Sequence, residues 1–346
     1  MRKFEESVLP VAPDLEPLLR STWSGIAAPG WGWTGSERLA IAAATREARG
    51  LASAQVVLPE EALHAVAIIA REPATVDEMM IRDIVGKIGL VRYVELVGVA
   101  SIVVGIDTMT SLLGLGIEEL PEPIGGGLVK NRRVRNLKLR KAWVPTTGLP
   151  LPRLALSAVP PAQKLANQIL DRLYMEPDQS RHTESVRGLT PTQMELVVVT
   201  VSHGNKCFYC TVGHLVPLQR IASMQGLTID PVAIVDPALD PGIPGGRELI
   251  ELSRSAVTFA PDPELVTKVA DALGPQAAVT AAEVASAFMM TNRIVEATGQ
   301  PALRNQRDRM LPLLERLGAT EFPHSGLTTV ADKPGTLQRV ARRLRS

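Results

Sequence analysis

Cysteine is nearly absent from this chain: 346 residues contain two, and both fall within one stretch of four. An excess of either charge is absent too, since 37 Lys+Arg stand against 36 Asp+Glu for a formal net charge of +1, and a nucleic-acid partner is not expected on that balance. No uncharged apolar run approaches the roughly 18 residues that span a bilayer. The longest, Leu96 to Ile106, ends at Asp107, so no membrane partner is expected. The first ten residues lack the apolar core of a signal peptide, which makes the expected location cytoplasmic. In a reducing compartment two neighbouring cysteines are catalytic or metal-binding more often than structural.

What is present is the arrangement Glu195, eleven residues, Cys207-Phe208-Tyr209-Cys210, three residues, His214. Two thiols separated by two residues can close a small disulfide, and a thiolate poised near ambient pH can reopen it by exchange. Helical spacing from Cys207 to Ala222, with a kink at Pro217, puts Cys207, Cys210, His214 and Leu218 on one stripe. His214, one turn past Cys210, can then accept the thiol proton directly or through one water. Upstream, Thr190-Pro191 reads as an N-cap with a first-turn proline, and the apolar run 196–201 continues the helix until Ser202-His203-Gly204-Asn205 interrupts it. The product is a helical hairpin in which Glu195 and His214 both lie about 9 to 13 Å from the turn. A carboxylate so placed can orient the imidazole and raise its basicity.

At these four positions the chain resembles the carboxymuconolactone decarboxylase-like superfamily, in its AhpD-like alkylhydroperoxidase branch, whose signature is E-x11-C-x2-C-x3-H. The resemblance implies an all-α fold, with Cys210 oxidised to a sulfenic acid, Cys207 as resolving thiol and proton donor, and Glu195 with His214 as proton relay. One position departs from AhpD itself, which carries a histidine immediately before the second cysteine where this chain has Tyr209. The helix dipole favours a thiolate at Cys207, nearest the helix start. Family analogy and the spacing to His214 favour Cys210, which we read as the nucleophile.

Each residue has a plainer reading. The cysteines can be buried apolar fillers, Glu195 can close a capping box with Thr192, and His214 can be a core histidine. Tyr209 reads as packing and His203 as a turn or surface residue, with membership of the relay open for both. Zinc on His203, Cys207, Cys210 and His214 is chemically conceivable, but ligands drawn from one helical stripe rarely close a tetrahedron. Neither a metal nor a cofactor is expected.

The length suits about two domains, and 45% hydrophobic residues can fill sizeable cores. At an offset of 158 the segment from Glu37 to Pro59 echoes that from Glu195 to Pro217, with Arg49, Ala52 and Val56 in place of Cys207, Cys210 and His214. Later, Val99-Ala100-Ser101 echoes Val284-Ala285-Ser286 at an offset of 185, the added length falling in the Asp/Pro/Gly-rich loop 227–246. Helical periodicity marks 35–50, 60–71, 76–85, 92–113, 162–174, 246–260, 263–272, 281–298 and 303–317. The expected architecture is two AhpD-like helical bundle repeats in tandem: a degenerate domain over 1–118 without the catalytic cysteines, a basic Pro/Gly-containing linker over 119–150, and a domain over 151–346 with the Cys-x-x-Cys site. The linker holds seven basic residues in twelve, from Lys130 to Lys141, with poor aromatic interleaving. It reads as a solvated arm, and the arginines at 339, 342, 343 and 345 read as a helix end or tail.

The expected function is a thiol-dependent peroxidase that reduces hydroperoxides and is itself regenerated by a dithiol or lipoylated protein; family members usually assemble as homo-oligomers. Two alternatives stand beside it. One is a decarboxylase-branch lyase acting on a lactone, in which the thiols take no part. The other is a metal-held or interaction protein without catalysis.

Overall fold

The computed structural model describes residues 6–53, 55–174 and 185–329. Among these residues the chain is all-α, with twelve helices and one pair of two-residue parallel strands, Ala302–Leu303 and Thr328–Thr329. The helices are α1 Leu15–Ala27, α2 Gly35–Ala48, α3 Glu60–Arg71, α4 Glu78–Ile88, α5 Leu90–Leu112, α6 Pro160–Leu173, α7 Pro191–Gly204, α8 Phe208–Met224, α9 Gly246–Ala256, α10 Glu264–Leu273, α11 Pro275–Thr298 and α12 Arg304–Arg316. The arginines at 339–345 lie outside the described residues.

The expected helices all appear within a few residues of their predicted bounds, and α1 is added to them. Its Leu15, Leu19, Trp23 and Ile26 are buried at helical spacing. Pro10, Pro13 and Pro17 mask the signal, although a proline in the first helical turn costs no intrahelical hydrogen bond. The loop 227–246 contains only the 3₁₀ turn Pro231–Ile234.

Helices α5 and α11 run through the centre, and both are buried almost end to end. Each is entered through a glycine in the same unusual conformation, Gly89 at φ 88°, ψ 151° and Gly274 at φ 94°, ψ 157°. Their approach is close: a Cβ at Gly105 would sit 3.0 Å from that of Met290. One continuous apolar core includes residues from α1 to α12, where each buried Leu, Ile or Val contributes about 1.5–3 kcal/mol by leaving water. The charges on α5 are neutralised locally. Asp107 accepts two bonds from Arg46, at 2.9 Å from Nε and 2.7 Å from Nη2, and Glu95 pairs with Arg38 at 3.3 Å. No single helix among the described residues is long and apolar enough to cross a membrane, and α4 with α5, which together reach that length, are bent by 115°.

The helix starts do not follow the offset of 158 at which the two segments echo one another in sequence. Thr34 and Thr190 both close capping boxes, with Glu37 and Gln193, so α2 and α7 start 156 residues apart and Leu39 stands where Glu195 does. The Arg49, Ala52 and Val56 equivalence fails as well, because α2 ends at Ala48 and the next helix begins only at Glu60. The cysteine-bearing helix follows α7 after three residues, whereas α3 follows α2 after eleven.

The segment 119–150 is laid against the helices. Ile124 donates its amide to Ala27 at 2.9 Å, Val129 to Gly30 at 2.8 Å and Trp143 to Thr298 at 3.0 Å. Of its seven clustered basic residues only Arg140 is half-buried, folded back on the Thr146 carbonyl, and the others are exposed.

Candidate active site

The hairpin of α7 and α8 is made by a tight turn. The Cys207 amide donates to Ser202 and the Lys206 amide to His203, both at 2.9 Å, the paired bonds of a Schellman motif. Lys206 takes the left-handed position, φ 54°, where glycine is usual. Asn205, the last residue before it, reaches the Asn292 side chain at 3.0 Å, and Asn292 donates to Ser202 at 3.1 Å, which ties the turn to α11. Cys207 is therefore the N-cap of α8, but its thiol does not cap the helix. It turns inward to a small cluster with Cys210 and Val295, closed over by Tyr209.

Glu195 does not serve a cap. The capping box of α7 belongs to Thr190 and Gln193, and Thr192 meets Gln225 instead. The Glu195 carboxylate, buried on α7, lies with Oε2 at 2.8 Å from Nδ1 of His214 on α8. Its other oxygen, Oε1, accepts the phenol of Tyr174 at 2.7 Å. With Nδ1–H given to the carboxylate, Nε2 is the imidazole's proton-accepting atom. His214 and Tyr174 both set their rings edge-on to Phe288 of α11, with centroids 4.9 Å away in each case. Burial first, then the charge of Glu195 and the bond to it, pushes the Tyr174 phenol well up, so it stays a donor.

The two sulfurs are free thiols in one buried cluster, and both residues are shut from bulk solvent at 0% and 1% exposure. His214, with 22% of its side chain exposed, forms the wet edge of the site. Burial pushes the Cys207 thiol well up, the bond and charge of Cys210 add to that, and Glu296 adds further. This opposes the helix dipole, which by itself favours a thiolate there. Tyr209 packs against the thiols, and burial with their proximity raises its phenol as well.

His203 stands apart from this group. Its Nε2 is 2.8 Å from the Leu317 carbonyl and its ring meets Phe322, while burial pulls its pKa down despite that carbonyl. Among the described residues no group of three or more His, Cys, Asp or Glu side chains is gathered as a metal site.

Four residues join the site without a signal in the motif. Tyr174 follows α6, Phe288 and Glu296 come from α11, and His324 comes from the turn after the 3₁₀ helix Ala319–Glu321. The helical stripe through Phe288, Asn292 and Glu296 is legible as spacing, but spacing does not say that it faces the thiols.

No protein-family model matches this chain, and neither the curated proteins nor the solved structures return a significant match to it.

Proposed function

We propose that the protein is a thiol-dependent hydroperoxide reductase of the AhpD-like kind, working through Cys210 and Cys207 with Glu195 and His214 as proton relay. The observation that carries this reading is the 2.8 Å contact between Glu195 and His214. It orients an imidazole whose free nitrogen serves the thiol one helical turn earlier.

In the first step the Cys210 proton passes to His214, and the sulfur attacks one peroxide oxygen. The O–O bond breaks, Cys210 becomes a sulfenic acid, and the departing alkoxide leaves as an alcohol with the proton from His214. Cys207 then displaces water from Cys210 to form a disulfide, which an external dithiol, such as a lipoylated protein, reduces back to two thiols. Closure of the sulfurs from bulk water is compatible with a small peroxide entering past His214, and it limits hydrolysis and over-oxidation. The position of Cys210 one helical turn before His214 supports assignment of the nucleophile to Cys210 and of the resolving role to Cys207.

The tandem-repeat origin, a homo-oligomeric assembly and a cytoplasmic location belong to the same proposal. The paired capping boxes and the matched conformations of Gly89 and Gly274 support the first of these.

Peroxide consumption in the presence of a dithiol tests the reading. Wild type should turn over, Cys210→Ser should be inactive, and Cys207→Ser should be oxidised once and stall as a sulfenic acid. Equal consumption by wild type and Cys210→Ser would sink it.

A further inference from the structure

A second carboxylate and imidazole stand at the other cysteine. Glu296, buried on α11, directly follows Val295, which packs against both cysteines, and its charge and polar contact help push the Cys207 thiol up. Its Oε2 is in direct contact with Nδ1 of His324, and Nε2 of His324 donates to the Val76 carbonyl at 2.7 Å. Trp143, whose backbone N–H donates to the Thr298 carbonyl, sets its ring edge-on to His324 with centroids 4.8 Å apart. As with Glu195 and His214, a buried carboxylate contacts Nδ1 of an imidazole; here the other ring nitrogen is also anchored, to Val76.

We propose that Glu296 and His324 form a separate proton relay dedicated to Cys207, used when this thiol attacks the sulfenic acid on Cys210. The inference rests on the peroxidase reading above. As the Sγ–Sγ bond forms, Cys207 gives its proton to Glu296. Glu296 passes a proton to Nδ1 of His324, which holds it as an imidazolium donating to Val76 and Glu296. The hydroxide leaving Cys210 takes a proton from solvent at the exposed His214 edge and departs as water. His324 returns its proton to solvent, so the step conserves atoms and charge.

The groups facing this relay are Cys207 and Cys210 at the start of α8, Tyr209 beside them, and Asp77 at the N-cap of α4. A Glu–His pair needed only for folding would not act on one chemical step and spare the other. Two relays on two sulfurs let the oxidation and resolution steps be tuned separately.

The test separates the two steps in the full chain after one equivalent of tert-butyl hydroperoxide. Dimedone trapping reads sulfenic acid at Cys210, and quenched alkylation followed by mass spectrometry reads the disulfide. Glu296→Gln and His324→Gln should form sulfenic acid at the wild-type rate and close the disulfide about tenfold more slowly or worse, the scale of a lost general base. The wild-type closure rate should rise as pH increases through the titration of His324, and that inflection should vanish in His324→Gln. Should Glu296→Gln not fold, His324→Gln carries the test, since that side chain lies on the outer side of the pair. Unchanged closure rates and pH profile in the folded variant overturn the relay while leaving the peroxidase reading intact. Absence of sulfenic acid in wild type overturns both, and equal slowing of both steps reduces the pair to a structural role.

Discussion

Tyr174 holds Glu195 on the face opposite His214: its phenol lies 2.7 Å from Oε1, while Oε2 is 2.8 Å from the imidazole Nδ1. One carboxylate thus has a fixed plane set by two partners from two other elements. A group held in this way loses little freedom when it orients the base, and a carboxylate held by one partner alone would rotate.

Removal of the phenol should therefore lower activity less than removal of the charge. Tyr174→Phe is expected to slow alkylation of Cys210 by several-fold, and Glu195→Gln by about 10²-fold or more, the range of a lost general-base system. Both should keep wild-type circular dichroism. Iodoacetamide labelling of Cys210 against pH checks this, and the same rate in wild type and Glu195→Gln would refute it.

Lys206 supplies the turn that delivers Cys207, and it does so at φ 54°, a conformation that costs an L-residue roughly 1–2 kcal/mol. Glycine adopts it freely but loses more entropy on folding. Lys206→Gly should accordingly stabilise the protein by about 0.5–1 kcal/mol in urea unfolding, with the disulfide closing at an unchanged rate. A destabilised variant would show that the lysine side chain does more than occupy the turn.

Stability should depend on pH through His324. Burial pulls this imidazole down, but the hydrogen bond and charge of Glu296, with the Val76 carbonyl and the charge of Asp77, outweigh it and leave its pKa above the ordinary value. A raised folded pKa means that the native state binds the proton more tightly than the unfolded chain. The contribution is then complete below the unfolded value of about 6.5 and is lost as pH rises through the folded pKa. The melting-temperature difference between wild type and His324→Gln is expected to be largest near pH 6 and to shrink toward pH 9. A difference that grows over that interval would reverse the sign and remove the assignment.

Much of this site could be read along the chain because it is built on a hairpin. The interval between Glu195 and His214 fixes their distances from the turn, so an α7–α8 pair with a three-residue connection brings them together whatever surrounds it. Cys210 and His214 share a stripe for the same local reason. The first-half counterpart fails to follow because the eleven residues between α2 and α3 break the register that a similarity of letters suggests.

Local periodicity determined the all-α class, the bounds of most helices and the meeting of the acid with the imidazole. Only the tertiary structure decided that Tyr174 anchors the carboxylate, that Glu296 of α11 reaches Cys207, and that His324, 28 residues beyond Glu296, closes behind it. The reason is geometric. A helix repeats its own faces every 3.6 residues, and that repeat is written in the sequence. Which face meets which depends on how side-chain ridges of separate helices interlock, as where Gly105 admits Met290, and that is a property of the packed whole.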